Sequence, residues 1–286
     1  MGLKKILAIC VALTTIGSLR PPLASSQEAG AVTLASLRPE CGTPCGRHAL
    51  IFVHGLWGAN TTWLNEQSRR SWPNLTATDQ FFKEFDIYVV NYLTELRAAR
   101  QPRLEDVVGE LYELMRSREM HRYTSIHFIG HSLGGTVIQR YLLLIKLKTS
   151  KAHPLLTKYR SIILLGTPSA GSDLARLGGL FSNDPKVQTL LPIEKNEYLY
   201  ALKKDWEAME EKRRNEEYPH VVVSVGYEEE RYLGMIVVSK ESAAVFADPG
   251  RLQGFRRDHV SLAKPRDHND QVYVWVRTQI RDGLSR

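Results

Sequence analysis

The chain has 286 residues, of which 43% are hydrophobic and 24% are charged. This composition predicts a folded globular protein and excludes disordered and collagen-like chains, because enough apolar side chains are present to form a core. The formal net charge of +7 is the unusual figure, and it raises the question of a nucleic-acid or anionic-membrane partner.

The first 26 residues have the pattern of a secretory signal peptide. Two lysines precede Ile6–Leu19, an uncharged run of 14 residues, and a segment rich in small residues ends at Ser26. That order is typical of a signal that is cleaved on export, and the run is shorter than the roughly 20 apolar residues of a membrane-spanning helix. We therefore expect residues 1–26 to be removed and the protein to be exported, periplasmic or secreted. A membrane anchor through residues 6–19 is the alternative.

Residues 27–45 are predicted to be a linker that leads into the folded domain. Cys41 and Cys45 are separated by Gly-Thr-Pro, a sequence that favours a turn. In an oxidising compartment this pair could form a small-loop disulfide, and the alternative is two free thiols. Two cysteines without a nearby histidine pair are weak evidence for a metal site, so we expect no metal.

Strands and helices alternate after residue 46. Short continuous apolar runs predict buried strands, and apolar residues at helical spacing predict amphipathic helices. We expect strands at 48–53, 86–91, 126–129, 162–165 and 221–225, and helices at 103–119 and 133–147. The alternation favours one α/β domain over 46–286, with a mostly parallel, doubly wound sheet. The stretch 167–220 is long for a single crossover, and we interpret it as a cap-like helical insertion.

The sequence Gly-His-Ser-Leu-Gly-Gly at 130–135 carries the chemistry. It contains the G-x-S-x-G pattern, which follows a predicted strand and opens a predicted helix, as this motif requires. A sharp turn there exposes the hydroxyl of Ser132, and small residues two positions before and after it avoid clashes. The amino end of the helix presents free N–H groups to developing negative charge. Ser132 is therefore the predicted nucleophile.

With this motif the chain resembles the α/β-hydrolase superfamily. The resemblance is to the lipase-like branch that includes the GPI inositol-deacylases and the serine-active-site-containing proteins. Ser169 stands where related lipases often place a histidine. The matching pieces span about 220 residues: FVHGLWG (52–58), Trp-Pro (72–73), GHSLGG (130–135), LGTPSAGS (165–172), ESA (241–243) and DHVSLAKP (258–265).

The motif also predicts where the oxyanion of a tetrahedral intermediate would bind. One donor should be the backbone N–H of Leu133, the residue after the nucleophile. The second should come from the loop after the first strand of the domain, and we assign it to Leu56. His54 lies far before the nucleophile in the sequence, so we interpret it as a residue that shapes this loop.

The fold's usual order of nucleophile, acid and histidine leaves His259 and His268 as the two candidates for the general base. His259 lies in the DHVSLAKP piece, and the resemblance implies that it is the base. His268 lies in a polar run and is expected to be a solvated surface residue. His127 and His131 are expected to pack or to form hydrogen bonds.

The acid that orients the base is expected after the strand at 221–225. The resemblance implies a Tyr-Glu pair here, which favours Glu228. Glu229 and Asp173 stay open as alternatives. Asp258 adjoins the base in sequence and is expected to point elsewhere.

Together these residues predict a serine hydrolase that cleaves carboxylic esters, in particular lipid or other acyl esters, without a cofactor. An acyltransferase or thioesterase with the same triad is the alternative, and a catalytically dead binding protein is a further one. Without residues 1–26 the formal charge falls to +4, and no basic stripe is present. The sequence therefore excludes a nucleic-acid partner and leaves a small-molecule or lipid ester substrate, with at most a weak contact with anionic membrane surfaces.

Overall fold

The computed structural model describes the greater part of the chain, in ranges with gaps between them. These ranges are 32–38, 44–55, 58, 60–92, 104–148, 155–168, 204–209, 211, 215 and 221–285. The predicted signal peptide, Cys41, Leu56, Asp173 and most of the predicted cap lie outside the described residues.

A seven-stranded sheet forms the centre of the fold, in the order β1-β5-β2-β6-β7-β8-β9. Strand β1 pairs antiparallel with β5, and the other neighbours are parallel. A separate two-stranded ribbon joins β3 to β4. The strands are β1 (Thr33–Ser36), β2 (His48–Val53), β3 (Leu64–Asn65), β4 (Arg70–Ser71), β5 (Phe85–Asn91), β6 (Ser125–His131), β7 (Tyr159–Leu165), β8 (Val222–Glu228) and β9 (Leu252–Phe255).

Helices cover both faces of the sheet. Within the described ranges, the α-helices used in the account below are α1 (Trp72–Thr78), α2 (Leu104–Ser117), α3 (Leu133–Lys148), α4 (Lys240–Ala244) and α5 (Gln271–Leu284). Side chains of α2, α3 and α4 pack in one apolar cluster, and those of α1 and α5 pack in the other. Successive residues of β2 alternate between the two, with Ile51 in the first cluster and Phe52 in the second. A strand that is buried on both faces must be apolar throughout, which explains the continuous runs in the sequence.

The predicted α/β fold with a mostly parallel, doubly wound sheet is confirmed. Each strand and helix expected from the sequence is present, with ends that differ from the expected ones by at most three residues. Within the predicted cap, residues 204–209 are helical. Trp206 of this segment is buried and packs edge-on against Phe246.

The predicted linker requires a correction. Residues 33–36 form β1, an edge strand that pairs with β5, so the sheet begins before residue 46. The sequence patterns also did not predict β3, β4, β9, α1, α4 or α5. Strands β1 and β9 have only four residues each, too few to give a clear apolar pattern.

The topology places several chain segments at one edge of the sheet. Strand β2 lies between β5 and β6. The chain adds β5 on one side of β2 and then crosses over to add β6 and the later strands on the other side, so the strand order reverses at β2. In such open sheets, ligands bind beyond the carboxyl ends of the strands at this reversal.

Within the described ranges, no helix combines the length and the apolar character needed to cross a membrane.

Candidate active site

Ser132 occupies a strained turn between β6 and α3. Its φ is +53°, a left-handed value that is unfavourable for a residue with a β-carbon. Its backbone N–H donates a 2.9 Å hydrogen bond to the carbonyl of Leu165, at the end of the neighbouring strand β7. The side chain is 3% exposed. Strain of this kind persists only where the surrounding structure enforces it, and it is common at active sites.

Close packing around the turn requires the glycines that flank Ser132. A β-carbon on Gly130 would lie 2.7 Å from Cα of Gly135, and one on Gly134 would collide with the carbonyl oxygen of Val53. These contacts give the physical reason for small residues two positions before and after the serine. The start of α3 therefore lies directly against the end of β2.

The loop after β2 reaches the nucleophile. A β-carbon on Gly55 would lie 3.0 Å from Ser132 Oγ, which shows how closely this loop approaches the hydroxyl. The Gly58 N–H donates to the Gly55 carbonyl at 3.1 Å and closes a tight turn. Leu56, the predicted second oxyanion donor, belongs to the sequence between these glycines and lies outside the described residues.

His54 shapes this loop. Its Nδ1–H donates to the Gly55 carbonyl at 2.9 Å, and its ring stacks on Tyr92 at 4.4 Å. The Tyr92 hydroxyl donates to the His54 carbonyl at 2.5 Å. Burial lowers the pKa of His54, so the ring is neutral. These contacts agree with the interpretation of His54 as a structural residue of the loop.

Leu133 is the first residue of α3. The first N–H groups of an α-helix have no acceptor within the helix, so the Leu133 N–H is free to donate elsewhere. It follows Ser132 directly and lies at the positive end of the helix dipole. This position suits a donor to an oxyanion that forms on an acyl group attached to Ser132 Oγ.

His259 and Glu228 form a buried pair. The distance from His259 Nδ1 to Glu228 Oε1 is 3.2 Å, and the two residues are 1% and 2% exposed. Glu228 Oε1 also accepts the Val238 N–H at 2.7 Å. Because a carboxylate oxygen accepts, Nδ1–H of His259 donates to it, and Nε2 is the ring nitrogen that faces away from the glutamate. Among the described residues, Nε2 has no hydrogen-bond partner.

Ser132 and His259 both approach the end of β7. Leu165 accepts the Ser132 N–H, and the next residue, Gly166, lies directly beneath the His259–Glu228 pair. A β-carbon on Gly166 would lie 3.0 Å from His259 Nδ1 and 3.2 Å from Glu228 Oε2. Ser132, the predicted nucleophile, therefore lies beside the same short segment at the carboxyl edge of the sheet as His259 and Glu228.

The neighbouring acids point elsewhere. Glu229 is exposed, and its carboxylate lies beside Gly254 on β9. Asp258 Oδ1 accepts the N–H groups of Val260 and Ser261 at 2.9 and 2.8 Å and so caps the turn after His259. Asp173 lies outside the described residues. Of the acids that the structure describes, Glu228 is the one in contact with the histidine.

His131 makes a contact that the sequence did not reveal. Its Nε2–H donates to the backbone carbonyl of His259 at 2.8 Å, and the two rings lie 4.9 Å apart. Burial, together with the nearby His259, lowers the pKa of His131 to about 3, so this ring is neutral at pH 7. His131, which is next to Ser132 in the sequence, thus holds the loop of His259 in place through a hydrogen bond. Because His131 is adjacent to Ser132 in the sequence, it was expected to lie near the site, but the sequence does not identify the carbonyl that accepts its hydrogen bond.

The remaining predicted residues lie away from the pair. His268 bonds through Nε2 to the Leu75 carbonyl at 2.8 Å and is partly buried, whereas we expected a solvated residue. His127 bonds to Ser125 at 2.8 Å near the opposite end of β6. Trp72, in the Trp-Pro piece, is fully buried in the core. Among the described residues, no group of three or more His, Cys, Asp and Glu could hold a metal ion.

The arrangement has the parts that acyl transfer through a serine requires. A strained serine, a buried histidine whose Nε2 has no hydrogen-bond partner among the described residues, and a carboxylate that contacts Nδ1 of that ring share one edge of the sheet. The free N–H groups at the start of α3 lie beside the serine. Proton transfer and charge stabilisation could therefore take place at one point.

Comparisons with known proteins identify the family. The family model of the alpha/beta hydrolases matches residues 50–279, which is most of the chain. A comparison of the sequence with curated proteins finds no match.

Solved structures share the fold at low sequence identity. Phospholipase PlaB from Legionella pneumophila is 14% identical with a TM-score of 0.56, over 84% of this chain and 62% of its own. MGS-MChE2, an alpha/beta hydrolase enzyme from a metagenome of the Mar Chica lagoon in Morocco, is 11% identical with a TM-score of 0.51, over 91% of this chain and 99% of its own. The protein is thus a member of the alpha/beta hydrolase family.

Proposed function

We propose that the protein is a serine hydrolase that cleaves carboxylic esters through an acyl-enzyme. The observation that carries the proposal is the strained Ser132 beside the buried His259–Glu228 pair at one edge of the sheet. Membership in the alpha/beta hydrolase family supports it, since the nucleophile turn and the order of serine, acid and histidine match that fold.

Acylation begins when Ser132 Oγ attacks the ester carbonyl. Nε2 of His259 removes the hydroxyl proton, and Glu228 stabilises the imidazolium that forms. The N–H groups of Leu133 and Leu56 donate to the oxyanion, and the loss of one such donor costs about 3–4 kcal/mol of transition-state stabilisation. The tetrahedral intermediate then collapses, the carbon–oxygen bond of the ester breaks, and His259 returns the proton to the leaving alcohol.

Deacylation repeats these steps with water as the nucleophile. His259 removes a proton from water, the hydroxide adds to the acyl carbon, and the bond to Ser132 Oγ breaks. The products are a carboxylic acid and the free enzyme, with the proton returned to the serine. The chemistry uses side chains and backbone groups of this chain alone.

The proposed substrates are lipid or other acyl esters. The sequence resemblance to the lipase-like branch supports this class, and phospholipase PlaB shares the fold. Transfer of the acyl group to an alcohol, or cleavage of a thioester, would use the same triad. Supplying competing alcohol acceptors and measuring how the acyl group partitions between acid and ester distinguishes hydrolysis from acyl transfer.

We also propose that the protein is exported. The signal-like pattern of residues 1–26 supports export, as does the disulfide bond of Cys45, because disulfides persist in oxidising compartments. Pairing with Cys41 remains a prediction. Export with cleavage after Ser26 predicts a mature amino terminus at Gln27, which amino-terminal sequencing of protein from the periplasm or medium would detect. Retention of residues 6–19 would instead indicate the membrane anchor.

Turnover of p-nitrophenyl esters tests the proposed activity. Ser132→Ala and His259→Ala should each reduce kcat by about 10³-fold or more while the circular dichroism spectrum and Tm stay unchanged. His268→Ala is the matched control, because this histidine bonds to a backbone carbonyl away from the pair, and it should keep wild-type turnover. Full activity in Ser132→Ala would refute the proposal.

A further inference from the structure

A short hairpin next to Glu228 exposes apolar side chains. The backbone of Tyr232 and Met235 exchanges hydrogen bonds of 2.9 and 3.1 Å, so Leu233 and Gly234 form a two-residue turn. Leu233 is 68% exposed and Met235 is 41% exposed. Among the described residues only two other large hydrophobic side chains are exposed, and neither lies in this hairpin. We name Leu233 and Met235 the apolar tip.

The tip has an unusual backbone. Leu233 has φ of +47° and Gly234 has φ of +87°, as in hairpin turns that favour Asn-Gly. A leucine in the first of these positions is unfavourable both for its backbone and for the exposure of its side chain. The Arg231 guanidinium donates to the Gly234 carbonyl at 2.9 Å, and this bond restrains the turn. A restrained apolar group loses less conformational entropy when it binds.

The base of the hairpin is attached to the candidate active site. Glu228 ends β8 before the hairpin, and Val238 returns after it to donate its N–H to Glu228 Oε1 at 2.7 Å. The Glu230 N–H donates to the carbonyl of Arg257, two residues before His259. Leu233 is the fifth residue after Glu228, so its Cα lies at most about 18 Å from the Cα of the glutamate. It therefore projects from the edge of the sheet that carries Ser132.

We propose that the apolar tip docks the protein onto the surface of aggregated lipid, with Leu233 and Met235 inserted among acyl chains. This proposal rests on the proposed ester hydrolysis, because docking brings the active site to a lipid substrate. Two side chains are far too few for the roughly 800 Å² that each partner buries in a stable protein complex. Insertion into lipid requires no such complementary surface.

Local charge indicates which lipid surface fits. The exposed charges near the hairpin balance, with three acids and three cations: Glu229, Glu230, Glu241, Arg231, Lys240 and Arg256. An anionic surface would gain little from this group. Docking through the tip is therefore driven by apolar contact, and it should occur on zwitterionic phosphatidylcholine vesicles and persist in high salt.

A fluorescent reporter tests insertion directly. In full-chain L233W, phosphatidylcholine vesicles with brominated acyl chains should quench the added indole and shift its emission to the blue. V274W is the matched control, because Val274 is an exposed apolar residue on α5. It should show only the background of the five native tryptophans, measured with the wild type. Equal quenching in both variants, or none in L233W, would overturn the proposal.

Turnover of an ester embedded in vesicles and of a soluble ester tests whether docking through the apolar tip speeds the cleavage of lipid substrates. Relative to the wild type, L233N/M235Q should cleave an ester embedded in phosphatidylcholine vesicles at least fivefold more slowly at limiting lipid. Its turnover of soluble p-nitrophenyl acetate should stay within twofold of the wild type. Asparagine tolerates positive φ, so L233N should unfold at the same temperature or higher. V274Q is the control and should keep both rates.

The two proposals can fail separately. If the wild type hydrolyses the soluble ester but L233N/M235Q acts on vesicles like the wild type, docking through the tip is wrong and the proposed hydrolysis stands. If the wild type hydrolyses no ester but L233W is quenched, hydrolysis is wrong and docking stands. If the tip variants instead turn a dimer into a monomer on gel filtration, the tip is a protein contact and the lipid proposal falls.

Discussion

Two adjacent glutamates at the end of β8 have opposite surroundings. Glu228 is buried and contacts His259, whereas Glu229 is exposed and lies beside Gly254. Successive side chains of a strand point to opposite faces. A shift of β8 by one residue would therefore turn Glu228 away from His259 and bring the carboxylate of a neighbouring residue toward it. The sequence favoured Glu228 through family resemblance, while the spacing of the Glu-Glu-Glu run gave no way to choose among its members.

Exchange of each glutamate for glutamine tests this difference. Glu228→Gln should lower kcat for p-nitrophenyl esters by about 10²- to 10⁴-fold, because a neutral amide stabilises the imidazolium poorly. Glu229→Gln differs from it by one position and should stay within twofold of the wild type. Steady-state kinetics of both variants gives the comparison. Normal activity in Glu228→Gln would move the acid to Asp173 or Glu229.

His131 should act as a positioning residue for the loop of His259. His131→Leu removes the donor to the buried His259 carbonyl, a loss that costs about 1–3 kcal/mol when the acceptor is left unpaired. We expect kcat to fall about tenfold or more with little change in KM. His131→Gln carries an amide N–H at a similar distance from the backbone and should restore most of the activity. Equal losses in both variants would indicate that the ring matters for packing alone.

Among the elements, the sequence predicted those with a strong local pattern. The central strands are buried on both faces and read as continuous apolar runs, and α2 and α3 have apolar residues at helical spacing. Edge strands β1 and β9 lack such runs, because their position depends on backbone pairing with a neighbour. The contacts Val238–Glu228 and His131–His259 join residues that only the folded sheet brings together.

Two glycines in different elements should respond oppositely to alanine. Gly109 lies within α2, where an added β-carbon meets nothing within 4 Å, so Gly109→Ala should raise the free energy of unfolding by about 1 kcal/mol. Gly166 has φ of +53° and lies beneath His259, so Gly166→Ala should lower that free energy and reduce kcat. Urea unfolding and ester turnover measure both effects. A harmless Gly166→Ala would contradict the close approach at the end of β7.

Across the whole molecule, buried histidines should make the protein sensitive to acid. Burial lowers the pKa values of His127 and His131 to about 3, below the unfolded value of about 6.5. The unfolded chain therefore binds more protons between these values, and stability is lost as the pH falls from about 6.5 toward 3. Each histidine should contribute about 1 kcal/mol per pH unit in this window.

Urea unfolding between pH 7 and pH 4.5 measures this dependence. His127→Gln removes the titrating ring but can keep a hydrogen bond to Ser125, so its stability should depend less steeply on pH than that of the wild type. Identical slopes for the two proteins would show that folding does not lower the pKa of His127.

The net charge of +7 acts on the molecule as a whole. Residues 1–26 carry three of the cations and no acid, so cleavage would leave +4. We expect this remainder to give a weak attraction to anionic vesicles that salt removes. The apolar tip should instead bind in a manner that salt does not weaken, so vesicle binding at low and high salt separates the two contributions.

Covalent labelling of Ser132 tests the central claim most directly. A fluorophosphonate should react with Ser132 Oγ, release fluoride and add one phosphonyl group to the folded wild-type protein. Peptide mapping by mass spectrometry should locate this group in the Gly-His-Ser-Leu-Gly-Gly sequence, and ester turnover should be lost in proportion to labelling. Ser132→Ala should remain unlabelled. An unlabelled wild-type protein that still hydrolyses esters, or a label at another residue that abolishes turnover, would contradict the account.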